Sequence, residues 1–416
     1  MKIPLLIPHL TEADEQAVIA AIRSGWITQG PQVAAFEEEF AAFTGAAYAC
    51  AVSSATTALH MALLAVGVSP GDEVITVSHS FIATANAVRY CGALPVFVDI
   101  EPATLNMDPA LIDGAVSQKT KAILCVHQLG LPCDLKSILA VAKQHNLPVI
   151  EDAACAIGSE VRVNDIFESV GKPHGDIACF SFHPRKVLTT GDGGMLTTNN
   201  AEYDRQFRLL RQHGMSIPDT VRHNAQEVIF ESYPIMGYNY RLTDLQAALG
   251  RSQLKKIPQL VAERRRLAKR YEDGLGGFPG LTLPSEQDYA VTNWQSYSIR
   301  LDADIDQKTF MQKMLDVGIS TRRGVMNAHL EPAYGPGTWK CGICKRMDAA
   351  CDCLRHSYAV QKECVQIPLF PGMTEEQLEY IFEKFQAILR NRFGKGCWRN
   401  IQDGGAAPVI PRLGGR

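Results

Sequence analysis

Short apolar runs alternate with stretches of helical spacing between residues 74 and 198 of the chain. Runs of this kind are typical of buried strands, and apolar residues three and four apart predict amphipathic helices between them, as at residues 135–142. Strands that alternate with helices predict a mostly parallel sheet with helices on both faces. The predicted strands lie at residues 74–77, 94–98, 122–126, 148–150, 178–182 and 195–198.

The second half of the chain has a different pattern. A long helical stretch rich in Leu, Ala and Arg runs from Thr243 to about Leu275, and a smaller α+β domain is predicted beyond it. Its predicted elements are strands at residues 297–301 and 365–369 and helices at residues 306–316 and 374–389. The predicted parts of the chain are an N-terminal segment 1–25, a large domain 26–255, a small C-terminal domain 256–390 and a mobile tail 391–416.

Composition narrows the class of protein. A chain of 416 residues that is 46% hydrophobic can bury a large core. The net charge is −3 and no extended basic run is present, so we expect no nucleic-acid partner. No apolar run is long enough to span a bilayer, and the first ten residues lack a cleavage site. We therefore expect a soluble cytoplasmic protein without membrane contact.

One lysine lies between a predicted strand and a glycine-rich turn. Lys186 ends the stretch Phe180-Ser-Phe-His-Pro-Arg-Lys186, which Thr189-Thr-Gly-Asp-Gly-Gly194 follows. An amine forms an imine with an aldehyde only when it is deprotonated, and a neighbouring cation such as Arg185 favours that form. Taken alone, a loop lysine is more often a solvated surface charge.

An acidic residue suggests a partner for this lysine. Asp152 follows a predicted buried strand, and ligands gather at the carboxyl ends of parallel strands. If the aldehyde belongs to pyridoxal phosphate (PLP), a carboxylate must keep the pyridine nitrogen protonated. Lys186 and Asp152 together therefore indicate a PLP site.

A third motif suits a phosphate. In Val52-Ser-Ser-Ala-Thr-Thr-Ala-Leu59, small and hydroxyl residues precede an apolar run with helical spacing. Small residues let the backbone approach a phosphate, and the first turn of a helix offers free N–H groups. An ordinary Ser/Thr helix cap is the alternative interpretation.

Several motifs occur in the order typical of one family. They are Gly25-Trp-Ile-Thr-Gln-Gly-Pro31, Ser53-Ser-Ala-Thr56, Gly71-Asp-Glu-Val-Ile75, Glu151-Asp-Ala-Ala154, Ser181-Phe-His-Pro-Arg-Lys186, Gly191-Asp-Gly-Gly194 and Gly237-Tyr-Asn-Tyr-Arg241. From about residue 7 to about residue 389 the chain resembles the DegT/DnrJ/EryC1/StrS sugar aminotransferases, which are fold type I PLP enzymes. The resemblance implies a large α/β domain, whose mostly parallel seven-stranded sheet is flanked by helices, and a smaller C-terminal α+β domain.

The resemblance also implies roles for the residues around the cofactor ring. Lys186 would be the internal aldimine lysine and the base that moves the proton, and Asp152 would pair with the pyridinium nitrogen. Phe81 would stack on the ring, with core packing as the alternative. Cys155 stands where the family usually has Gln or His to hydrogen-bond the ring oxygen. Because a thiol is a poor donor, that contact is weakened or supplied by another group.

The phosphate contacts implied by the resemblance come from two subunits. Ala55, Thr56 and Ser181 would hold the phosphate within one subunit, and many relatives have Gly where this chain has Ala55. Asn239 matches a position that reaches the phosphate of the neighbouring subunit. A homodimer with shared active sites is therefore expected.

The substrate motifs are weaker, and each residue has a structural alternative. Arginines that face a diphosphate are physically reasonable, because guanidinium groups pair with phosphate in a bidentate way. The candidate substrate contacts are Trp26, Thr28, His183, Arg241, Arg322, Arg323 and His329.

The function implied is amino transfer from an amino acid, with L-glutamate the expected donor, to a nucleotide-linked keto sugar. A 4-keto-6-deoxy sugar is the expected acceptor, and a two-stage exchange predicts ping-pong kinetics. A transaminase for a keto-cyclitol or related antibiotic precursor, with glutamine as a possible donor, stays open, as does a non-catalytic PLP-binding regulatory paralogue. A dehydratase of the same fold is disfavoured, since it typically has His where this chain has Lys186.

The chain contains twelve cysteines, and four of them cluster. Six are scattered, mostly inside apolar runs where buried free thiols are normal. Cys341-Gly-Ile-Cys344 and Cys351-Asp-Cys353 have a spacing that suits a zinc site only in part, and they fall in a variable loop of the family. An uncommitted thiol cluster and an opportunistic disulfide are the alternatives. No metal site is assigned from the sequence.

Overall fold

The structure is a computed structural model that describes residues 1–217, 221–222, 225–348 and 351–390. The predicted tail, residues 391–416, lies outside the described residues. Within the described ranges, no helix combines the length and the apolar character needed to cross a membrane.

A central sheet of eight strands runs through the larger part of the chain. Its order is β1-β9-β8-β5-β4-β2-β3-β14. Strand β9 pairs antiparallel with both of its neighbours, β1 and β8, and all other neighbouring strands are parallel. The strands are β1 (Tyr48–Val52), β2 (Glu73–Val77), β3 (Leu94–Val98), β4 (Thr120–Val126), β5 (Val149–Asp152), β8 (Ile177–Ser181), β9 (Gly194–Thr198) and β14 (Lys340–Cys341).

Both faces of this sheet are covered. In β1, Ala49 and Ala51 pack into one hydrophobic core, and Cys50 and Val52 pack into the other. A strand buried on both sides reads as a continuous apolar run, which is why the six predicted strands were found from the sequence. The sheet therefore has the expected mostly parallel architecture, and the two-residue β14 extends its edge.

Helices pack around the sheets. In the first part of the chain they are α1 (Glu12–Arg23), α2 (Pro31–Thr44), α3 (Ala55–Ala65), α4 (Ala83–Tyr90), α5 (Ile112–Ala115), α6 (Leu135–His145) and α7 (Ala201–Leu210). Later in the chain they are α8 (Asp244–Leu254), α9 (Ile257–Leu275), α10 (Gln307–Asp316), α11 (Arg355–Glu363) and α12 (Glu375–Arg390).

The single long helix predicted from Thr243 to Leu275 is wrong. Thr243 caps α8, whose last residue is Leu254, and a second helix, α9, starts at Ile257. Pro258 lies in the first turn of α9. A proline ring clashes with the carbonyl four residues earlier and lacks an N–H, so the first helix cannot continue through it, whereas a first turn tolerates it.

Smaller sheets complete the fold. An antiparallel sheet has the order β10-β12-β15-β13, and a three-stranded sheet has the order β11-β6-β7. Their strands are β6 (Glu160–Arg162), β7 (Phe167–Ser169), β10 (Leu281–Thr282), β11 (Ala290–Val291), β12 (Tyr297–Leu301), β13 (Arg322–Arg323) and β15 (Cys364–Ile367). The four-stranded sheet shares a core with α9, α10 and α12, which includes Tyr271, Tyr297 and Phe385. The α+β character of this region agrees with the expectation, and the domain boundary near residue 256 stays a prediction.

Candidate active site

A cleft of about 380 Å³ lies at the carboxyl end of the central sheet. The ends of β4, β5 and β8 and the first turn of α3 form one wall, and β13 and β15 of the four-stranded sheet form the other. Parallel strands end on the same edge of a sheet, so side chains distant in sequence meet there. Seven of the eight predicted cofactor contacts line this cleft: Ala55, Thr56, Phe81, Asp152, Cys155, Ser181 and Lys186.

Lys186 is held in a tight loop between β8 and β9. The backbone N–H of Phe182 donates to the carbonyl of Gly193 at 2.9 Å, and the N–H of Thr190 donates to the carbonyl of Phe182 at 3.0 Å. Lys186 Nζ donates to Cys155 Sγ at 3.0 Å. The closed loop thus fixes the backbone from which the lysine side chain extends into the cleft.

Asp152 is a buried carboxylate at the end of β5. One oxygen accepts from Thr84 Oγ1 at 2.7 Å, and the other accepts from the Ala154 N–H at 3.2 Å. Burial raises the pKa of Asp152 above its ordinary value, against the opposing effects of Thr84, Ala154 and Lys186. A buried carboxylate with raised pKa gains from a cationic partner, so this group is suited to a protonated ring nitrogen.

A buried pair stands directly behind Asp152. His127 Nε2 donates to Glu151 at 3.0 Å, and both side chains are excluded from solvent. The N–H of Cys133 donates to His127 Nδ1 at 3.0 Å, and the N–H of Gly175 donates to Glu151 at 2.7 Å. Although burial opposes it, the hydrogen bond from His127 lowers the pKa of Glu151. These bonds tie the ends of β4 and β5 together and fix the backbone that carries Asp152.

The first turn of α3 offers a phosphate cradle. Ser54 caps the helix and accepts from the Thr57 N–H at 3.2 Å, which leaves Ala55 and Thr56 at the cleft. Early amides of a helix lack intrahelical acceptors and attract anions. Gly194 lies against this turn, and a Cβ there would come within 2.5 Å of the Ser54 carbonyl carbon. Only glycine allows so close an approach, so the motif at residues 53–56 and the motif at residues 191–194 form one continuous surface.

Phe81 belongs to the cleft and not to the core, because its side chain is 58% exposed and lines the cavity. An aromatic face that is open to a cavity is available for stacking on a planar ligand. The lysine, the carboxylate, the aromatic ring and the helix terminus therefore fit PLP in residue type and in placement.

The comparison with known families agrees with this site. Residues 8–386 match the model of the DegT/DnrJ/EryC1/StrS aminotransferase family. The chain belongs to this family. As a member of it, the chain is a PLP-dependent aminotransferase.

Relatives are similar over nearly their whole length. The spore coat polysaccharide biosynthesis protein SpsC of Bacillus subtilis is 36% identical over 392 residues, which is 93% of this chain and 97% of that protein. The GDP-perosamine synthase of Caulobacter vibrioides is 36% identical over 395 residues, covering 93% and 98%.

Solved structures share the fold. The aminotransferase TlmJ of Streptoalloteichus hindustanus has a TM-score of 0.83 and 31% identity, over 94% of this chain and 99% of that one. The PLP-form structure of Spr1654 from Streptococcus pneumoniae has a TM-score of 0.83 and 26% identity, over 93% and 98%.

The predicted substrate residues divide into two groups. His183, Arg322 and Arg323 line the cleft, whereas Trp26, Thr28, Arg241 and His329 do not line it. His329 is buried, and its Nδ1 lies 2.5 Å from Ser78 Oγ, so its side chain does not face the cleft. The structure therefore brings three of the seven candidates to the cavity of this chain.

Asn239 also lies outside the cleft and is exposed. The backbone of Asn239 forms an isolated β-bridge with Gln212, and the carbonyl of the next residue, Tyr240, accepts from the Ser53 N–H at 2.8 Å. The segment thus runs beside the end of β1 while the Asn239 side chain faces outward. That placement is compatible with a contact to a second subunit.

Sequence reasoning missed some residues of the cleft. Thr84 donates to Asp152 and lies only three residues after Phe81, but no role was predicted for it. Gln295 lines the cleft and donates to the Arg185 carbonyl at 2.7 Å, which supports the lysine loop from the other wall. Gln295 lies more than a hundred residues away in the sequence, so no local pattern identifies it.

Proposed function

We propose that this enzyme transfers an amino group from L-glutamate to a nucleotide-linked keto sugar, with a 4-keto-6-deoxy sugar as the expected acceptor. The observation that supports it most is the convergence of Lys186, Asp152 and the first turn of α3 in one cleft. The Caulobacter relative, a GDP-perosamine synthase, carries a nucleotide-linked amino sugar in its name. A carbonyl on a sugar of that kind is the acceptor that we propose for this chain.

When bound, PLP supplies an electron sink for the carbon that exchanges the amino group. Lys186 would provide the amine that holds the cofactor aldehyde, and its side chain in the cleft is placed to act as the base that moves a proton at the reacting carbon. Cys155 lies 3.0 Å from the Lys186 amine and accepts from it, so the thiol helps to fix the direction of that side chain. Asp152 would favour a proton on the ring nitrogen by its charge, and Thr84 and Ala154 fix its two oxygens.

The opposite wall suits the anionic parts of the substrates. Arg322 and Arg323 lie on β13 and line the cleft, and Arg323 is half exposed and forms an ion pair with Glu331 at 3.5 Å. Guanidinium groups pair with phosphate and carboxylate in a bidentate manner. We assign them to the diphosphate of the acceptor or to the carboxylate of the donor. His183 lines the floor beside Lys186 and is a further candidate.

The active sites would be shared in a homodimer. The segment that leads to Asn239 carries a run of strongly exposed apolar side chains, with Val228, Phe230 and Met236 each more than four-fifths exposed. Exposed apolar surface of this kind is typical of a protein–protein interface. As the family resemblance implies, Asn239 would then reach the phosphate of the neighbouring cleft, where Ala55, Thr56 and Ser181 lie.

An absorbance spectrum of the purified protein, recorded before and after addition of glutamate, tests this function. We expect a visible band from the lysine-linked cofactor that shifts to shorter wavelength with glutamate and returns when a nucleotide-linked 4-keto sugar is added. A shift with glutamine alone contradicts the proposed donor. A shift with glutamate that keto-cyclitols reverse and keto sugars do not reverse contradicts the proposed acceptor. A band that no donor alters favours a non-catalytic paralogue.

A mixing experiment tests the shared site. We expect the Lys186→Ala and Asn239→Ala variants each to be inactive, because each lacks one residue of the site. If the site is shared, a heterodimer of the two variants contains one cleft with both residues intact. We expect activity to reappear after demonstrated subunit exchange. Exchange without recovery contradicts sharing, while leaving the chemistry of Lys186 untouched.

A further inference from the structure

Four cysteines meet at the edge of the central sheet, away from the cleft. Cys341 ends β14, Cys344 follows three residues later, and Cys351 and Cys353 precede α11. Their four Sγ atoms all lie within 4.8 Å of one another. Cys341 is buried, Cys344 is exposed and the other two are half-buried, so the cluster sits just below the surface.

The turn that carries the first pair of cysteines is shaped around a sulfur atom. The N–H of Cys341 donates to the Arg346 carbonyl at 2.7 Å, and Lys345 closes the turn with a φ of 62°. Within the turn, the N–H of Ile343 points at Cys341 Sγ at 3.4 Å. An amide that donates to sulfur favours the thiolate, which is the form that binds metals.

We propose that Cys341, Cys344, Cys351 and Cys353 bind one zinc ion as a tetrathiolate site. Zinc binds thiolates tetrahedrally at about 2.3 Å, which places the sulfur atoms about 3.8 Å apart. The sulfur atoms of the cluster already satisfy this spacing to within about an ångström. Binding of Zn²⁺ displaces the four thiol protons to solvent and leaves a complex with a charge of −2. Lys345, in the same turn, offsets part of that charge, whereas Arg346 already pairs with Asp348 at 3.1 Å.

A disulfide and an iron–sulfur cluster fit the geometry less well. Cys344 Sγ and Cys351 Sγ are 3.5 Å apart, whereas a disulfide needs about 2.05 Å. All cysteines in the described part of the chain are free. In a [4Fe–4S] cluster each thiolate binds a different iron, so the sulfurs lie farther apart than when they share one metal. A single tetrahedral ion is the occupant that the four sulfurs fit best.

The position of the cluster indicates a structural role. Cys341 pairs with Phe97 of β3 through a strand of only two residues, which is a weak attachment to a sheet. Leu354 and Trp339 flank the cluster and share a small core with Phe97 and Ala85 of α4, against which Cys351 and Cys353 pack. Four protein ligands leave no open coordination position, so the ion would clamp this segment and take no part in catalysis.

The α4 end of this small core leads to the cofactor cleft. Tyr334 donates to Asn86 Oδ1 of α4 at 2.7 Å. Ile82, next to Phe81, packs against the same small hydrophobic core. The zinc clamp therefore supports the outer side of the helix that carries Thr84. Loss of the zinc ion would increase the mobility of this edge of the sheet more than that of the cleft.

Metal content measured by mass spectrometry on the purified, fully reduced protein tests the proposal. We expect about one zinc per chain. Cys344→Ser and Cys353→Ser should each lose most of the zinc. Cys364→Ser is the matched control, because Cys364 is a buried cysteine near the cluster in sequence but outside it, and this variant should keep the zinc. Retention of zinc in both cluster variants overturns the assignment.

Two further measurements do not depend on the variants folding. Reduced wild-type protein that has been stripped of metal should bind Co²⁺ with the intense visible bands of a tetrahedral tetrathiolate, and Zn²⁺ should displace it. A thiol reagent should release the metal as four thiols react. Failure to bind either ion, bound iron with cluster absorbance, or disulfides among the four cysteines in the native protein each overturns the proposal.

Discussion

The cofactor cleft and the cysteine cluster are built in opposite ways. The cleft joins side chains that are far apart in sequence, from Ala55 to Arg323, on the rigid carboxyl edge of a sheet. The cluster joins four cysteines from a stretch of thirteen residues, attached to the sheet by the two-residue β14. Strands and cores hold the cleft in shape without a ligand, whereas the proposed ion would itself hold the cluster together. Changes in the cleft should therefore affect chemistry, and changes in the cluster should affect stability.

Lys186→Ala gives the largest expected effect. Because both the attachment point and the proton carrier are lost, we expect the rate to fall by about 10⁴-fold or more. The visible band of the lysine-linked cofactor should disappear, and the thermal unfolding midpoint of the cofactor-free protein should stay the same. Steady-state kinetics, absorbance and calorimetry measure these quantities. A variant with near-normal turnover removes Lys186 from the mechanism, and a large loss of stability removes the contrast between the two regions.

Asp152→Asn should lower the rate by on the order of 10²-fold, because the charge that holds the ring nitrogen protonated is lost. A second carboxylate provides the control. Asp176 accepts from the Val149 N–H at 2.8 Å at the start of β5, away from the cleft. Asp176→Asn should cost stability and leave the spectrum of the bound cofactor unchanged. Equal kinetic effects of the two substitutions argue against a specific role for Asp152.

Cys344→Ser should separate stability from catalysis. We expect amide hydrogen exchange over residues 339–348 and 351–358 to become on the order of tenfold faster, since the clamp on this edge is lost. Turnover by cofactor-saturated enzyme should change less than about threefold, because the cleft is held by the sheet. Cys364→Ser should not accelerate exchange in the same segment. Unchanged exchange in Cys344→Ser shows that the cluster does not clamp the edge.

Cys155→Gln should have the smallest effect. An amide is a better donor than a thiol, and one neutral hydrogen bond is worth about 1 kcal/mol, so PLP should bind up to about fivefold more tightly. Titration of the cofactor-free protein with PLP measures the dissociation constant. Cys91→Ser, a buried cysteine outside the cleft, controls for general effects of replacing a thiol. Weaker binding in Cys155→Gln means that the glutamine does not fit beside Lys186.

Much of the fold was predictable because it follows from local patterns. The parallel strands are buried on both faces, so their apolar runs are visible in the sequence, and the motifs around Lys186 and Asp152 sit at the strand ends where ligands collect. The break between α8 and α9 was missed, although Pro258 signals it, because the apolar spacing continues on both sides. The contact between His127 and Glu151 was not predicted, because the sequence around each residue gives no sign of the other.

The sequence by itself determined the chemistry and the architecture: a lysine and a carboxylate at strand ends, a helix terminus suited to phosphate, and an alternating α/β pattern. These depend on residue type and on spacing along the chain, which the sequence states directly. Only the tertiary structure decided that Phe81 faces a cavity, that His329 is buried and that four cysteine sulfurs lie within 4.8 Å. The sequence spacing alone does not determine where the four cysteine side chains point, since six residues separate the two pairs. Pairing of β14 with β3 and the packing of Leu354 bring them together, and such contacts depend on the whole core.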